Sequence, residues 1–131
     1  MIGLDINVVI RYLVQDDATQ ARKANRLIEK SLTPEEPGFI NLTTLSEIAW
    51  VLKSNYRLDK PGLVAIVEGL LTTKQLLVED MSVAWKALWA CEFRAMDFSD
   101  AVIAYANKFH ECDYTVTFDK HASRLDDMHL L

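Results

Sequence analysis

Short apolar segments alternate with longer segments of helical periodicity along the chain, and this alternation limits the possible folds more than any other feature. Parallel strands need a long crossover connection, usually a helix, and strands covered on both faces are apolar throughout. The pattern therefore predicts an α/β fold in which helices cover both faces of a parallel sheet. The predicted strands are residues 2–4, 39–40, 75–78 and 114–118 with an edge strand at 128–131, and the predicted helices are residues 7–13, 17–32, 44–56, 60–72, 82–93 and 99–109.

Local signals support several of these helices. Glu47 follows Thr44 by three residues, the spacing of a capping box, so we expect Thr43 or Thr44 to cap the third helix. Pro61 falls in the first turn of the fourth helix, where proline is well tolerated. In the sixth helix, an apolar stripe at helical spacing predicts the buried face, and it consists of Val102, Tyr105, Ala106 and Phe109.

Length and composition predict one globular domain over residues 1–131, since half of the residues are apolar and 25% are charged. Cys91 and Cys112 are far apart and form no CxxC pair, which suits buried small residues in the reducing cytoplasm. The spacing of His110, Cys112 and His121 matches no usual zinc pattern. We expect neither a signal peptide nor a membrane span.

The formal net charge of −5 argues mildly against a nucleic-acid partner, because such proteins usually present a basic face. The net charge is misleading if several of the acids lie in one metal site, because the metal ion offsets their charge. Without four such carboxylates the chain would be close to neutral. The composition therefore neither supports nor excludes RNA as a partner.

Four acids have an unusual placement at the ends of the predicted elements. Asp5 and Asp119 end strands, whereas Glu47 and Asp100 lie near the starts of helices. In an open parallel sheet, these positions lie along one edge, where ligands usually bind. Carboxylates that converge there repel one another unless a cation lies between them, and oxygen ligands in that number suit Mg²⁺ or Mn²⁺. The pattern therefore favours a divalent-metal site.

Each acid also has a purely structural explanation. Asp5 and Asp119 could cap the helical turns that follow them, and Asp100 could stabilise a helix that Asp97 caps. Glu47 could bond back to the backbone of Thr44, although its position between apolar neighbours would also be explained by a metal. A cap can still serve as a ligand, because the helix dipole keeps the acid ionised.

Four segments resemble, in order, the four motifs of PIN domains, and together they cover nearly the whole chain. In the first motif an Asp is followed two residues later by Asn or Ser, as in Asp5 and Asn7. In the third motif an acid directly precedes an Ala-hydrophobic-Ile-Ala run, and in the fourth a hydroxyl residue precedes the acid by two positions. The matching segments are residues 3–13, 45–48, 97–104 and 114–119, with the acids Asp5, Glu47, Asp100 and Asp119.

The resemblance is to VapC-type toxins of bacterial and archaeal toxin–antitoxin pairs, although Ile6 stands where Thr is commoner. It implies a Rossmann-like, three-layer α/β/α sandwich and an endonuclease that cleaves RNA with Mg²⁺ or Mn²⁺. It also implies a homodimer and inhibition by a small cognate antitoxin (VapB-like). We therefore expect a cytoplasmic, metal-dependent endoribonuclease.

Under this hypothesis, Asp5, Asp100 and Asp119 bind the metal, and Glu47 is a further ligand or orients the attacking water. Other residues are expected to hold these acids in place, namely Asn7, Thr117 and Asp97. Cations that could contact RNA phosphates, each of which could equally be a solvated surface charge, are Arg11, Lys53, Arg57, Lys120, His121 and Arg124.

Two other functions stay open at this point. A catalytically silent module of the same fold could bind RNA or protein, although such a module should lose at least one acid. A phosphatase of the haloacid dehalogenase type could use Asp5 as its nucleophile, but that class has a second Asp where this chain has Asn7. The tryptophans are expected in the core, with anchoring of an antitoxin as the alternative, and they are Trp50, Trp85 and Trp89.

Overall fold

The structure of the protein, a computed structural model, describes residues 1–131. Its strands are β1 (Ile2–Gly3), β2 (Gly38–Ile40), β3 (Leu76–Val78), β4 (Thr115–Thr117) and β5 (Met128–Leu130). Its α-helices are α1 (Ile6–Val14), α2 (Ala18–Arg26), α3 (Leu42–Ser54), α4 (Lys60–Thr72), α5 (Met81–Arg94) and α6 (Phe98–Phe109). A π-helical turn (Leu27–Ser31) extends α2, and a 3-10 turn (Ala122–Arg124) precedes β5. All predicted strands and helices are present.

Every strand pairing is parallel, and helices separate the strands, so the chain forms a three-layer α/β/α sandwich as predicted. The strand β2 lies between β1 and β3, with Gly38 opposite both Ile2 and Leu76. The strands β4 and β5 form a second parallel pair in which Thr115 lies opposite Met128. The predicted edge strand at the carboxyl end is confirmed. The parallel strands are thus divided between a sheet of three and a sheet of two.

Polar side chains begin several helices where the chain leaves an extended segment. Asp17 and Asp59 cap α2 and α4 by accepting backbone N–H bonds of 2.9 Å, and Pro61 lies in the first turn of α4 as expected. The predicted cap of α3 was wrong. Asn41 caps that helix instead, since its Oδ1 accepts the N–H of Thr44 at 2.8 Å, and the helix therefore begins at Leu42.

The hydrophobic core lies between the sheet and the helices and contains 30 buried residues in one cluster. The apolar stripe expected on α6 is covered except at its end: Val102 is buried and Tyr105 packs against the core, whereas Phe109 is 54% exposed. The helix packs against α5 and α3, and its fully buried residues all lie before its last turn. The residues that α6 buries are Phe98, Ala101, Val102 and Ala104.

Several residues expected in the core lie at the surface. Trp50 and Trp89 are 61% and 53% exposed, and the partly buried Trp85 packs its ring 6.2 Å from that of Trp89. The core prediction was therefore wrong for Trp50 and Trp89, whereas Trp85 packs against the core. Cys91 is buried as expected, but Cys112 is exposed, and both thiols are free. None of the helices has the length and apolarity needed to cross a membrane.

Candidate active site

The carboxyl ends of the three central strands form one edge, where Asp5, Asn41 and Glu79 follow β1, β2 and β3. Backbone bonds extend the strand pairing to this point, because Leu4 N–H donates to Phe39 O at 2.8 Å. Glu79 has a structural role here, since its Oε1 accepts the N–H of Leu42 at 2.9 Å and so holds the start of α3. The edge is the place where parallel α/β sheets usually bind ligands.

Asp5 occupies the position before the first turn of α1, but its side chain makes no capping hydrogen bond. Its backbone is extended, with φ −78° and ψ 157°, and its side chain is exposed. The capping explanation for this acid was therefore wrong. Its carboxylate is free to bind a ligand and lies at the amino-terminal end of α1.

Asp100 lies in the first turn of α6, which Asp97 caps by accepting the Asp100 N–H at 3.0 Å. Partial burial raises the pKa of Asp100, and the negative charges of Asp97 and Asp119 raise it further. The positive charges of His121 and Lys53 act in the opposite direction. Asp100 and Asp119 come from separate segments of the chain and are therefore close enough for the charge of one to act on the other.

Asp119 follows β4 and holds the 3-10 turn beyond it. Its Oδ1 accepts the N–H groups of His121 and Ala122 at 2.8 and 3.0 Å, so the capping contact predicted for this acid is present. Its own N–H donates to Thr117 Oγ1 at 3.0 Å, which fixes the backbone beside the carboxylate. Its second oxygen, Oδ2, has no hydrogen-bond partner within the protein. Capping therefore uses one oxygen of Asp119 and leaves the other free.

Glu47 lies in the second turn of α3, is exposed and makes no side-chain hydrogen bond. Its predicted bond back to Thr44 is absent, because Thr44 N–H donates to Asn41. The idea that Glu47 is buried among apolar neighbours was wrong as well. The start of α6 lies beside this turn of α3, since Ser99 Oγ donates to Ser46 O at 3.2 Å. The backbone next to Glu47 is thus held against the helix that carries Asp100.

The remaining predicted residues divide into two groups. Asn7 makes no side-chain hydrogen bond, and Arg11 bonds Gln20 and Asp16 on the surface of α1 and α2, so neither contacts the acids. By contrast, Lys53 forms an ion pair of 3.4 Å with Asp97. His121 lies next to Asp119, and its Nε2 is 2.9 Å from Ala95 O. Lys120 is exposed.

The donor atoms at this edge suit a hard divalent cation, because they are carboxylate oxygens. No group of three or more His, Cys, Asp or Glu side chains is positioned to hold one ion. The acids therefore lie at one edge, and the negative charge of Asp119 acts on Asp100. Their side chains nevertheless do not surround a common point. The same finding applies to His110, Cys112 and His121 as a zinc site.

A cavity of about 230 Å³ lies beside the acids and was not predicted from the sequence. Residues of α3, α4, α5 and the start of α6 line it, and its polar and aromatic members include Trp50, Lys53, Lys60, Asp97, Ser99 and His121. One signal was present in the sequence. Trp50 follows Glu47 by three residues, which places both on one face of α3.

The fold and the site define an α/β protein with acids at the carboxyl ends of its strands. The family named PIN domain matches residues 2–128, and the chain therefore belongs to the PIN-domain family. PIN domains are generally nucleases that act with divalent metals, and they are associated with RNA. No curated protein matches the chain. Membership excludes the phosphatase alternative, whose fold family is different.

Proposed function

We propose that this protein is a Mg²⁺- or Mn²⁺-dependent endoribonuclease. The observation that carries the proposal is that acids from separate segments lie where strands end and helices begin, with the charge of Asp119 acting on Asp100 after burial and Asp97 among the causes that raise the Asp100 pKa. A role in binding a cation explains this arrangement, whereas structural capping alone gives no reason for it. Membership of a family of nucleases supports the same conclusion.

The residues that would hold the metal are Asp5, Asp100 and Asp119, with Glu47 beside them. A divalent ion at this edge would lower the pKa of a bound water and offset charge on the phosphate. The chain's own contacts hold the acids in position, because Thr117 fixes the backbone of Asp119 and Asp97 fixes that of Asp100. Glu47, exposed and unbonded, would be a further ligand or would orient the attacking water.

Lys53 and His121 are the best-placed cations for an RNA phosphate, because both are close enough to Asp100 for their positive charges to lower its pKa. Lys120 is adjacent in the chain and exposed. Arg11 is a weaker candidate than the sequence suggested, since it is bonded to Asp16 and Gln20. Contacts of this kind position a nucleic acid without reading its sequence.

Asp5→Asn is the sharpest test of catalysis, because the Asp5 side chain makes no hydrogen bond that the change could break. We expect the variant to keep the wild-type melting temperature and to lose cleavage of an end-labelled RNA with Mg²⁺ or Mn²⁺. Circular RNA distinguishes endonuclease from exonuclease activity. Glu68→Gln, an exposed acid on α4, is the matched control and should cleave normally. Wild-type cleavage by Asp5→Asn would refute the assignment.

We further propose that the nuclease is the toxin of a VapC-type toxin–antitoxin pair in the cytoplasm. An acidic edge is a suitable socket for an Arg or Lys from a small antitoxin, and the exposed Trp50 and Trp89 are suitable anchors. Expression should arrest growth for the wild type but not for Asp5→Asn, and a small protein encoded next to the gene should co-purify. Light scattering tests the proposed homodimer.

The alternative is a catalytically silent PIN domain that binds RNA or protein. One observation favours it, namely that no three potential ligands are positioned around one point. Calorimetric titration with Mn²⁺ separates the two proposals. Binding that Asp5→Asn weakens supports the nuclease, and absence of binding supports the silent module.

A further inference from the structure

The cavity beside the acids has an apolar interior and a polar, aromatic rim. Its interior includes Leu63, Cys91 and Phe98, and burial raises the pKa of the Cys91 thiol, which keeps that thiol neutral. Its volume of about 230 Å³ is smaller than the roughly 300 to 1,000 Å³ of pockets for drug-sized molecules. This size suits a single flat heterocycle rather than a larger ligand or a folded peptide segment.

Two lining residues connect the cavity directly to the candidate catalytic acids. Asp97 accepts the N–H of Asp100 at 3.0 Å, and the N–H of His121 donates to Asp119 at 2.8 Å. A ligand in the cavity would therefore lie against one residue that is hydrogen-bonded to Asp100 and another that is hydrogen-bonded to Asp119.

The rim carries the two kinds of group that a nucleotide needs. Trp50 is 61% exposed, so its indole face is available for stacking with a base. Lys53 and Lys60 provide ammonium groups for a phosphate, and Lys60 Nζ is held 3.1 Å from Glu92 O. Trp50 lies one helical turn beyond Glu47, so the aromatic surface continues directly from the acids.

We propose that this cavity binds one unpaired nucleotide of the RNA next to the phosphate that is cleaved. The base stacks on Trp50 above the apolar interior, and Lys53 and Lys60 contact the adjoining phosphates. Bases in a duplex are already stacked and paired, so only single-stranded RNA can place a base here. The inference rests on the proposed RNA cleavage and adds to it a site for one base beside the cleaved phosphate.

Binding is measured by fluorescence anisotropy with a short labelled oligouridylate, in the Asp5→Asn background so that the probe stays intact. We expect Trp50→Ala to weaken binding by about 5- to 150-fold, which corresponds to the loss of one stacked base. Trp50→Phe should restore most of the affinity because it keeps a π face. Trp89→Ala is the matched control, since Trp89 is similarly exposed but lies outside the cavity.

Annealing the probe to its complement should abolish the dependence on Trp50. Equal affinity of Trp50→Ala and its parent for the single strand would overturn the proposal. Loss of a co-purifying small protein from Trp50→Ala, with RNA affinity unchanged, would assign the cavity to a protein partner instead. Failure of the nuclease proposal is distinguishable, because it appears as absence of cleavage by the wild type, whereas the anisotropy measurement does not depend on cleavage.

Discussion

Asp119 combines a structural contact with a proposed catalytic one, and two substitutions separate them. The Oδ1 atom accepts two backbone N–H groups, from His121 and Ala122. Asn retains an oxygen in the same place and caps helical turns about as well as Asp, whereas Ala offers no acceptor. Asp119→Asn should therefore fold with wild-type stability, and Asp119→Ala should lose about 1–2 kcal/mol of unfolding free energy.

For a chain of this length, that loss lowers the melting temperature by roughly 4–7 °C, and differential scanning calorimetry resolves such a change. Both variants remove the charged oxygen, so both should reduce the rate of metal-dependent RNA cleavage by about 100-fold or more. The reasoning would be refuted if Asp119→Asn cleaved at the wild-type rate. It would also be refuted if Asp119→Ala melted at the wild-type temperature, since the two bonds would then contribute nothing.

Three further predictions concern the surroundings of these acids. Because burial and the charges of Asp97 and Asp119 raise the pKa of Asp100, the folded protein binds that proton more tightly than the unfolded chain. Stability therefore falls as the pH rises from the ordinary carboxyl range through the raised pKa, so Asp100→Asn should raise the melting temperature at neutral pH and leave it unchanged below that range. Thr117→Val removes the acceptor that fixes Asp119 and should reduce kcat by about 10- to 100-fold at normal KM in steady-state cleavage assays; an unchanged kcat would exclude the positioning role. Asn41→Ala removes the cap of α3 and should cost about 1 kcal/mol in denaturant unfolding, whereas Thr43→Ala, at the position first expected to cap, should cost less.

The order and type of the elements could be predicted because apolar periodicity and local caps carry that information in the sequence. Residues 60–72 form α4 as predicted, since Asp59 and Pro61 mark its start unambiguously. The start of α3 was misplaced because Asn41, Thr43 and Thr44 can all cap a helix, and the sequence does not show which of them has an extended backbone.

Burial was harder to predict than helix position. Phe109 and Trp50 are apolar and lie on helices, but whether such a residue is covered depends on where the neighbouring helices end. The candidate site shows the same limit. The sequence predicted that Asp5, Asp100 and Asp119 lie at the ends of strands and helices. Only the folded chain shows that Asp119 is close enough to Asp100 for its charge to act on that carboxyl group. The cavity beside Trp50 combines residues of four helices, and no single segment indicates it.

The account depends most on a shared divalent ion at the strand-end edge, and crystals grown with Mn²⁺ test this most directly. Anomalous scattering locates manganese without any assumption about the ligands. We predict a peak within bonding distance of carboxylate oxygens of Asp5, Asp100 and Asp119. A peak bound elsewhere, or no peak in crystals that contain saturating Mn²⁺, would contradict the account.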